Sequence, residues 1–421
     1  MKVAVVGSGI SGIGAAWLLS QKHEVHLFES DSRLGGHANT VQISEDNRSI
    51  AMDTGFLVYN ELTYPNLIAF FKALNVVTAD SDMSLSVQVQ QKKLEWAGAN
   101  LNTVFGQRIN FFKPQFHRML FDIIRFGKEA EENLAVARRH AWSLGDMLLQ
   151  KKYSKAFCTD YLLPIGAAIW STPEDKMLNF PAATFISFFL NHKLLQVNNR
   201  PVWRTVKNGS INYVQKAAAA ITNIHLNSGV KEVERLATGR IAVRTESDSA
   251  EFDKVILATH TPISAKILKN QSQLEMQVLS SIQYEANHTL LHKDSSFMPK
   301  QSRCWSSWNV LGANDQNSSQ RVSLTYYLNK LQPLETRQNY FVTLNPTQKI
   351  VNPLKEFNYS HPQFDQKAIR AQRDLPSIQG NGGVYFAGAW TRYGFHEDGL
   401  LSAVQVAKLL NVPIPWSESN E

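Results

Sequence analysis

A chain of 421 residues has length for two or three domains and a large core. Its 43% hydrophobic, 19% charged and 10% aromatic content is that of a globular protein, and its net charge of +7, from 43 Lys and Arg against 36 Asp and Glu, is a mild excess that suits anionic surfaces without specifying nucleic acid, which is not an expected partner. Two cysteines, Cys158 and Cys304, without CxxC or Cys/His ligand spacing, exclude a disulfide framework and a zinc site, and no metal is expected.

The first predicted element is a strand at Lys2–Val6, a short β-branched run of the kind buried in parallel sheets. Gly7-Ser8-Gly9-Ile10-Ser11-Gly12 follows, then a helical pattern over Ile10–Gln21 and a second strand over His23–Glu29, which together make a βαβ unit. Because the first strand begins at Lys2, no signal peptide is expected, and the cytoplasm is the expected compartment. An amphipathic helix is predicted over 62–75 and a strand over Val87–Trp96. From about Asn100 to Arg204 the chain turns to aromatic-rich helices, such as 114–126, 128–150 and 181–195. Residues 229–262 read as a β-meander ending in a buried strand, Lys254–Ala258, and 280–345 alternate strand-like runs with loops. A last strand at Gly383–Gly388 and a closing helix at Asp398–Leu410 precede a loose tail, WSESNE. No segment approaches the roughly 20 uninterrupted apolar residues of a membrane-spanning helix.

The glycine spacing at the amino terminus carries chemistry. Gly7 permits a tight strand-to-helix turn, Gly9 lets backbone approach a pyrophosphate, and Gly12 allows close helix–strand packing. Free amides at the helix start, with the helix dipole behind them, then face the phosphates. Glu29 ends the second strand 20 residues beyond Gly9, where a carboxylate accepts ribose hydroxyls and disfavours a 2′-phosphate. The stretch Glu29-Ser30-Asp31-Ser32-Arg33-Leu34-Gly35-Gly36-His37 adds a second Gly pair for a further backbone approach, with Arg33 and His37 placed to add charge to the diphosphate.

This stretch resembles the Glu…Arg-x-Gly-Gly-Arg run of the flavin amine oxidase and phytoene desaturase group, with His37 where the group has its final Arg. The resemblance extends along the chain. Asp53-Thr54-Gly55-Phe56, with Leu57 beyond it, resembles the loop that passes the flavin ring, and Gly229–Val233 the strand whose backbone, at Val230, meets the adenine. Val255–Pro262, with Ala258 and Thr259, resembles the second nucleotide-domain strand. Residues 384–407 resemble the carboxyl-terminal FAD motif, in which Gly388 and Ala389 approach the pyrophosphate or ribitol and Asp398-Gly399-Leu400-Leu401 starts a helix whose amides point at the flavin pyrimidine edge. More narrowly, GFLVYNELTYPNL, RPVWRTVKNGSINYV, YEANHTLLHKDSSFMP and GFHEDGL resemble a bacterial amine-oxidase-like subgroup that is also similar to the amino-terminal flavin domain of plant cyclopropane fatty acid synthases. Asn208-Gly209-Ser210 stands where Gly-Gly-Ser is usual, and Asn also tolerates a left-handed turn.

The resemblance implies FAD as cofactor and an α/β fold: a Rossmann-type FAD-binding domain, parallel sheet plus β-meander, interleaved with a mixed α+β substrate domain carrying a helical insert. The expected FAD domain is discontinuous, over 1–80, 205–265 and 375–421, and the substrate domain covers 81–204 and 266–374, with its helical part at about 100–204. The implied activity is an FAD-dependent oxidation of a C–C bond in a lipid acyl chain, with oxidation of a C–N bond in an amine or amino acid, or service as flavoprotein partner of an acyl-chain methyltransferase, as alternatives.

Flavin takes the hydride, so the protein supplies orientation and electrostatics. His396 stands where amine oxidases carry a Tyr of the aromatic cage and is followed by Glu397; it is expected either to act near flavin N5 as proton acceptor or to bond loop backbone. Amine oxidases carry a Lys near the point that Asn287 or His288 occupies here; Asn287 and His292 are further catalytic candidates, His292 being read first as a polar residue on an exposed strand face. Trp305, Trp308 and Asn309 are candidates for a cavity wall, though Trp is more often core. Residues 109–128, apolar and flanked by Arg108, Lys113, Arg118, Arg125 and Lys128, read as a core-facing amphipathic helix first and as an interfacial membrane helix second, the latter implying peripheral contact with the inner membrane face.

Overall fold

A computed structural model describes residues 1–195, 201–312 and 322–417; part of the expected tail, 418–421, lies outside them. The strand Lys2–Val6 forms the middle of a five-stranded parallel sheet, with Glu24–Phe28 and then Asn223–His225 on one side and Lys254–Leu257 and then Val384–Phe386 on the other. Val3, Ala4 and Val5 are wholly buried, as strands covered on both faces require. The helices Ile10–Leu19 and His396–Leu409 pack together so closely that a Cβ on Gly14 would lie 2.6 Å from a Leu400 methyl.

The predicted meander is present: Glu232–Arg235, Ile241–Arg244 and Ser249–Phe252 form an antiparallel sheet, and the chain then enters the parallel sheet at Lys254. A seven-stranded sheet collects Leu85–Val89, Leu94–Ala97, Trp308–Leu311, Ser323–Tyr327, Phe341–Leu344, Tyr284–His292 and Lys355–Pro362. Two expectations need correction here. The run 87–96 is not one strand but the turn of a hairpin, because Gln90–Lys92 coil into a 3₁₀ turn and Lys93 takes a left-handed φ of 46°. The helix expected over 128–150 is two, Ala130–His140 and Leu144–Gln150; Ala141 is left-handed, and Ser143 and Asp146 exchange side-chain bonds with each other's backbone in a capping box. Asn208 takes a left-handed φ of 60° in its turn, as its side chain allows.

Candidate functional site

In an open parallel sheet ligands bind beyond the carboxyl ends of the strands. Here Gly7 leaves the first strand, Glu29 the second, Ala258 and Thr259 the fourth, and Ala387 and Gly388 the fifth. The fingerprint glycines divide the work. Gly7 has φ 95°, and its Cβ would meet the Ala258 carbonyl oxygen at 3.0 Å and Thr259 at 3.2 Å. A Cβ on Gly12 would lie 1.8 Å from the Gly7 carbonyl oxygen, so this position admits glycine alone. A Cβ on Gly9 would meet nothing within 4 Å: the backbone there borders open space. Gly9 is the N-cap of Ile10–Leu19, whose first turn has no side-chain cap and no acidic residue.

The other predicted contacts converge on that space. Gly36 faces Gly9, with 3.1 Å from its ideal Cβ to the Gly9 Cα, and the Gly35 amide donates to the Ser8 carbonyl at 3.1 Å. The Glu29 carboxylate accepts from the Ser8 amide (2.9 Å) and hydroxyl (2.5 Å) and from Ser30 and Asp31. A Cβ on Gly229 would lie 3.2 Å from the Ser30 Cβ, which brings Val230 beside this end. Gly399 closes the opposite side: a Cβ there would lie 2.7 Å from an Ile10 methyl, 2.9 Å from the Ser11 hydroxyl and 3.7 Å from the Ala389 amide. The two helix amino termini therefore meet at one place. Arg33 departs from its expected role: its guanidinium donates to the carbonyls of Leu34, Gly36 and Ala38 and so holds the Gly-Gly turn in shape. The Leu400 side chain packs on Gly14, and the Leu57 carbonyl accepts from Thr205, so these two sit in the walls.

At the other end the loop Thr54–Leu57 runs past His37. The Phe56 amide donates to the His37 carbonyl at 2.8 Å, and a Cβ on Gly55 would come within 2.3 Å of that oxygen. His396 begins the last helix, and its ring stacks on Phe56 with centroids 3.7 Å apart and planes 11° from parallel. Its Nε2 lies 3.0 Å from the Tyr213 hydroxyl. Burial pushes the His396 imidazole down to about 3, so it is neutral. With the proton on Nε2, the Tyr213 oxygen accepts it and the Nδ1 lone pair is left free.

Around His37 stand His260 (6.1 Å), His361 (5.2 Å) and Tyr359 (5.0 Å, all centroid to centroid). Burial and the neighbouring imidazoles hold His37 well below its usual range, and burial pushes His361 down to about 4 and lowers His260. The His37 Nε2 is buried without a hydrogen-bond partner. Asn287 donates from Nδ2 to His361 Nδ1 at 3.0 Å and to the Glu285 carbonyl at 3.0 Å, while its Oδ1 accepts from Asn345 at 2.8 Å. Its side chain is thus fully engaged and holds the His361 ring.

Two catalytic expectations are corrected. Glu397 is buried, and its oxygens accept from the Asn66 amide (3.1 Å) and side chain (2.7 Å) and from the Leu67 amide (2.9 Å), which makes it the cap of the helix Pro65–Ala73. His292 is buried between the Asp294 amide, which donates to Nδ1 at 3.1 Å, and Thr343, 2.7 Å from Nε2; both nitrogens serve the sheet. Asn309 likewise spends its side chain on Ser86, Ser306 and Thr325. Trp305 bonds the Pro299 carbonyl, while the Trp308 indole nitrogen is buried without a partner. Sequence reasoning missed Ser8, Tyr213, His260, Tyr359 and His361. Ser8, Tyr213 and His260 lay inside stretches already singled out, but nothing in the sequence marks Tyr359 or His361.

Residues 5–74 match the family described as an NAD(P)-binding Rossmann-like domain. Solved structures align over almost the whole chain: cyclohexylamine oxidase from Brevibacterium oxydans IH-35A at 14% identity and TM-score 0.69, covering 97% of this chain and 99% of that one. Putrescine oxidase bound to putrescine aligns at 15% and 0.69, covering 98% and 99%. The chain has the flavin amine oxidase-like fold. The same fold includes a CLA-producing fatty acid isomerase from P. acnes at 11% identity and TM-score 0.68, covering 97% of this chain and 98% of that one. At these identities the flavin amine oxidase-like likeness is one of architecture. A search of curated protein sequences finds no match.

FAD fits the residues present. The open space at Gly9 over an uncapped helix start suits a diphosphate, and the orphaned His37 Nε2 is a buried polar atom that a ligand would satisfy. Glu29 and the Gly229–Val230 backbone would hold the adenosine end, and Phe56, His396 and His37 border the other.

Proposed function

We propose that the chain is an FAD-dependent oxidoreductase that oxidises a C–C bond in a lipid acyl chain. FAD, when bound, supplies the acceptor for a hydride from carbon. One observation carries the choice of a carbon substrate: Asn287, which with His288 is the candidate for the place where the amine oxidases carry a Lys, holds His361 in a group of imidazoles that burial keeps neutral. A site without a formal charge at this point suits a substrate that is apolar around the reacting carbons. His396 is the group placed to take the adjacent proton, Phe56 fixes the plane of its ring, and the Tyr213 hydroxyl holds its Nε2 side. The fatty acid isomerase of the same fold is consistent with an acyl chain as substrate.

The test is anaerobic mixing of the FAD-loaded chain with phospholipids bearing unsaturated or methyl-branched acyl chains, and in parallel with amines and amino acids, while flavin absorbance is followed. Bleaching by lipid alone is expected. Bleaching by amines alone would assign the C–N chemistry instead, and no bleaching by either would favour a flavoprotein that partners an acyl-chain methyltransferase. His396→Phe should keep the flavin bound and lower the lipid-driven rate by about 10²–10⁴-fold, the usual share of a proton acceptor.

A further inference from the structure

The segment 98–128 has a finished core side and an unfinished outer side. The helix Pro114–Lys128 buries Phe116, Met119, Asp122 and Phe126 at three- and four-residue spacing, which completes the amphipathic pattern a core-facing helix needs. Phe121 and Ile124 lie off that stripe, and both are more than half exposed. Leu101, Ile109, Phe111 and Phe112, in the turns just before the helix, are also more than half exposed. Two groups of rings stand on this side: Phe111 is 5.5 Å from both Phe105 and Phe112 and 5.9 Å from His117, and the Arg118 guanidinium lies 5.5 Å from the Phe121 ring. Exposed aromatic surface of this kind marks an interaction site.

The charge within it is mostly positive, with Glu129 at its edge 3.0 Å from Arg125. Residues 98–128 contain five cations, Arg108, Lys113, Arg118, Arg125 and Lys128, and one carboxylate. That carboxylate, Asp122, is buried, where Arg118 and Arg125 approach it at 3.5 and 3.4 Å and the Ser154 amide donates to it. Among the described residues Arg108, Lys113 and Lys128 have no carboxylate at ion-pair distance: Arg108 donates to Asn102 and to the Phe105 carbonyl, and Lys113 to Asn110. Aromatic and aliphatic side chains beside the three cations Arg108, Lys113 and Lys128 match the boundary between anionic headgroups and acyl chains. A second copy of the chain would bring the same cations face to face across a two-fold interface.

We infer that this face, Leu101 and Ile109–Ile124, seats the protein on an anionic phospholipid bilayer. No helix among the described residues is long and apolar enough to cross a membrane, so the contact is peripheral. The inference goes beyond the proposed reaction and is read without turnover. The FAD-loaded full chain is sedimented with vesicles of phosphatidylcholine alone and with vesicles of phosphatidylcholine and phosphatidylglycerol. Binding is expected to be about tenfold or more stronger to the anionic vesicles and to weaken with salt. The double variant Phe112→Ser, Phe121→Ser should lose binding to both. Lys113→Glu, Lys128→Glu should lose the preference for anionic lipid. Phe112, Phe121 and Lys128 are exposed, so melting temperature and flavin absorbance of the Phe variant should match the parent; Lys113 is half-buried and donates to the buried Asn110, so the melting temperature of the Lys variant shows whether a lost preference comes with lost folding. Absence of binding to anionic vesicles, or parental binding by the Phe variant, would overturn the inference; so would vesicle-free dimerisation that the Phe variant abolishes, because the face would then belong to a second copy. Vesicle binding without any oxidation of lipid leaves the inference standing and counts only against the proposed reaction.

Discussion

A side chain added at Gly9 would enter open space, whereas one at Gly12 would strike the Gly7 carbonyl at 1.8 Å, so the two positions separate ligand binding from folding. Gly9 has φ −60°, which any residue adopts, and Gly9→Ala should leave the flavin-free chain within about 0.5 kcal/mol of the parent, as an exposed substitution does. The same methyl would occupy the space proposed for the diphosphate, so retention of FAD through gel filtration should fall. Gly12→Ala must part the helix from the strand, an overpacking that costs about 1–3 kcal/mol before any ligand is present. Urea unfolding of the flavin-free proteins together with flavin retention gives a two-by-two outcome. Equal destabilisation by both variants would show that Gly9 is needed for the turn and not for a ligand.

At the scale of elements, the carboxyl-terminal motif does more than face a cofactor. Glu397, in the first turn of His396–Leu409, caps a helix 330 residues earlier in the chain through the amides of Asn66 and Leu67. Glu397→Ala should cost about 1–2 kcal/mol in urea unfolding, the range for a lost cap, and should lower the lipid-driven rate far less than His396→Phe does. A rate loss as deep as that of His396→Phe would return Glu397 to the reaction. The contrast between the neighbours shows where sequence reading stops. The Gly7–Gly12 turn was legible because its geometry is local: three glycines and a β-branched run specify it. The break at Ser143 was legible in principle, since Ser143 and Asp146 have the spacing of a capping box, but the helical character of 128–150 concealed it. Glu397 and His292 were misread because both are polar residues in suggestive stretches, and their partners come from distant elements. His361 was not legible at all. It reaches Asn287 only because Lys355–Pro362 pairs antiparallel with Tyr284–His292, a register that no local pattern encodes.

Over the whole molecule, the buried histidines set how stability responds to acid. His192, His292 and His361 are pushed down to about 4 and His396 to about 3, from an ordinary 6.5, in each case chiefly by burial. Between those values and 6.5 the unfolded chain binds protons that the folded chain does not, so stability is lost as the pH falls from about 6.5 toward 4. Two carboxyls act in the opposite sense. Burial raises Asp53 to about 6 and Asp398 to about 7, so the folded chain holds protons that the unfolded chain has released, and their contribution is present at low pH and lost as the pH rises through those values. Where the two windows overlap, four imidazoles oppose two carboxyls, and the net effect is destabilisation by acid. The melting temperature should therefore fall steadily from pH 6.5 downward. His292→Gln, which keeps a donor and an acceptor in the sheet but cannot take up a proton, should make that decline shallower while costing some stability at neutral pH. An acid slope unchanged in this variant would remove His292 from the linkage, and a melting temperature that rises on acidification would show that Asp53 and Asp398 outweigh the histidines.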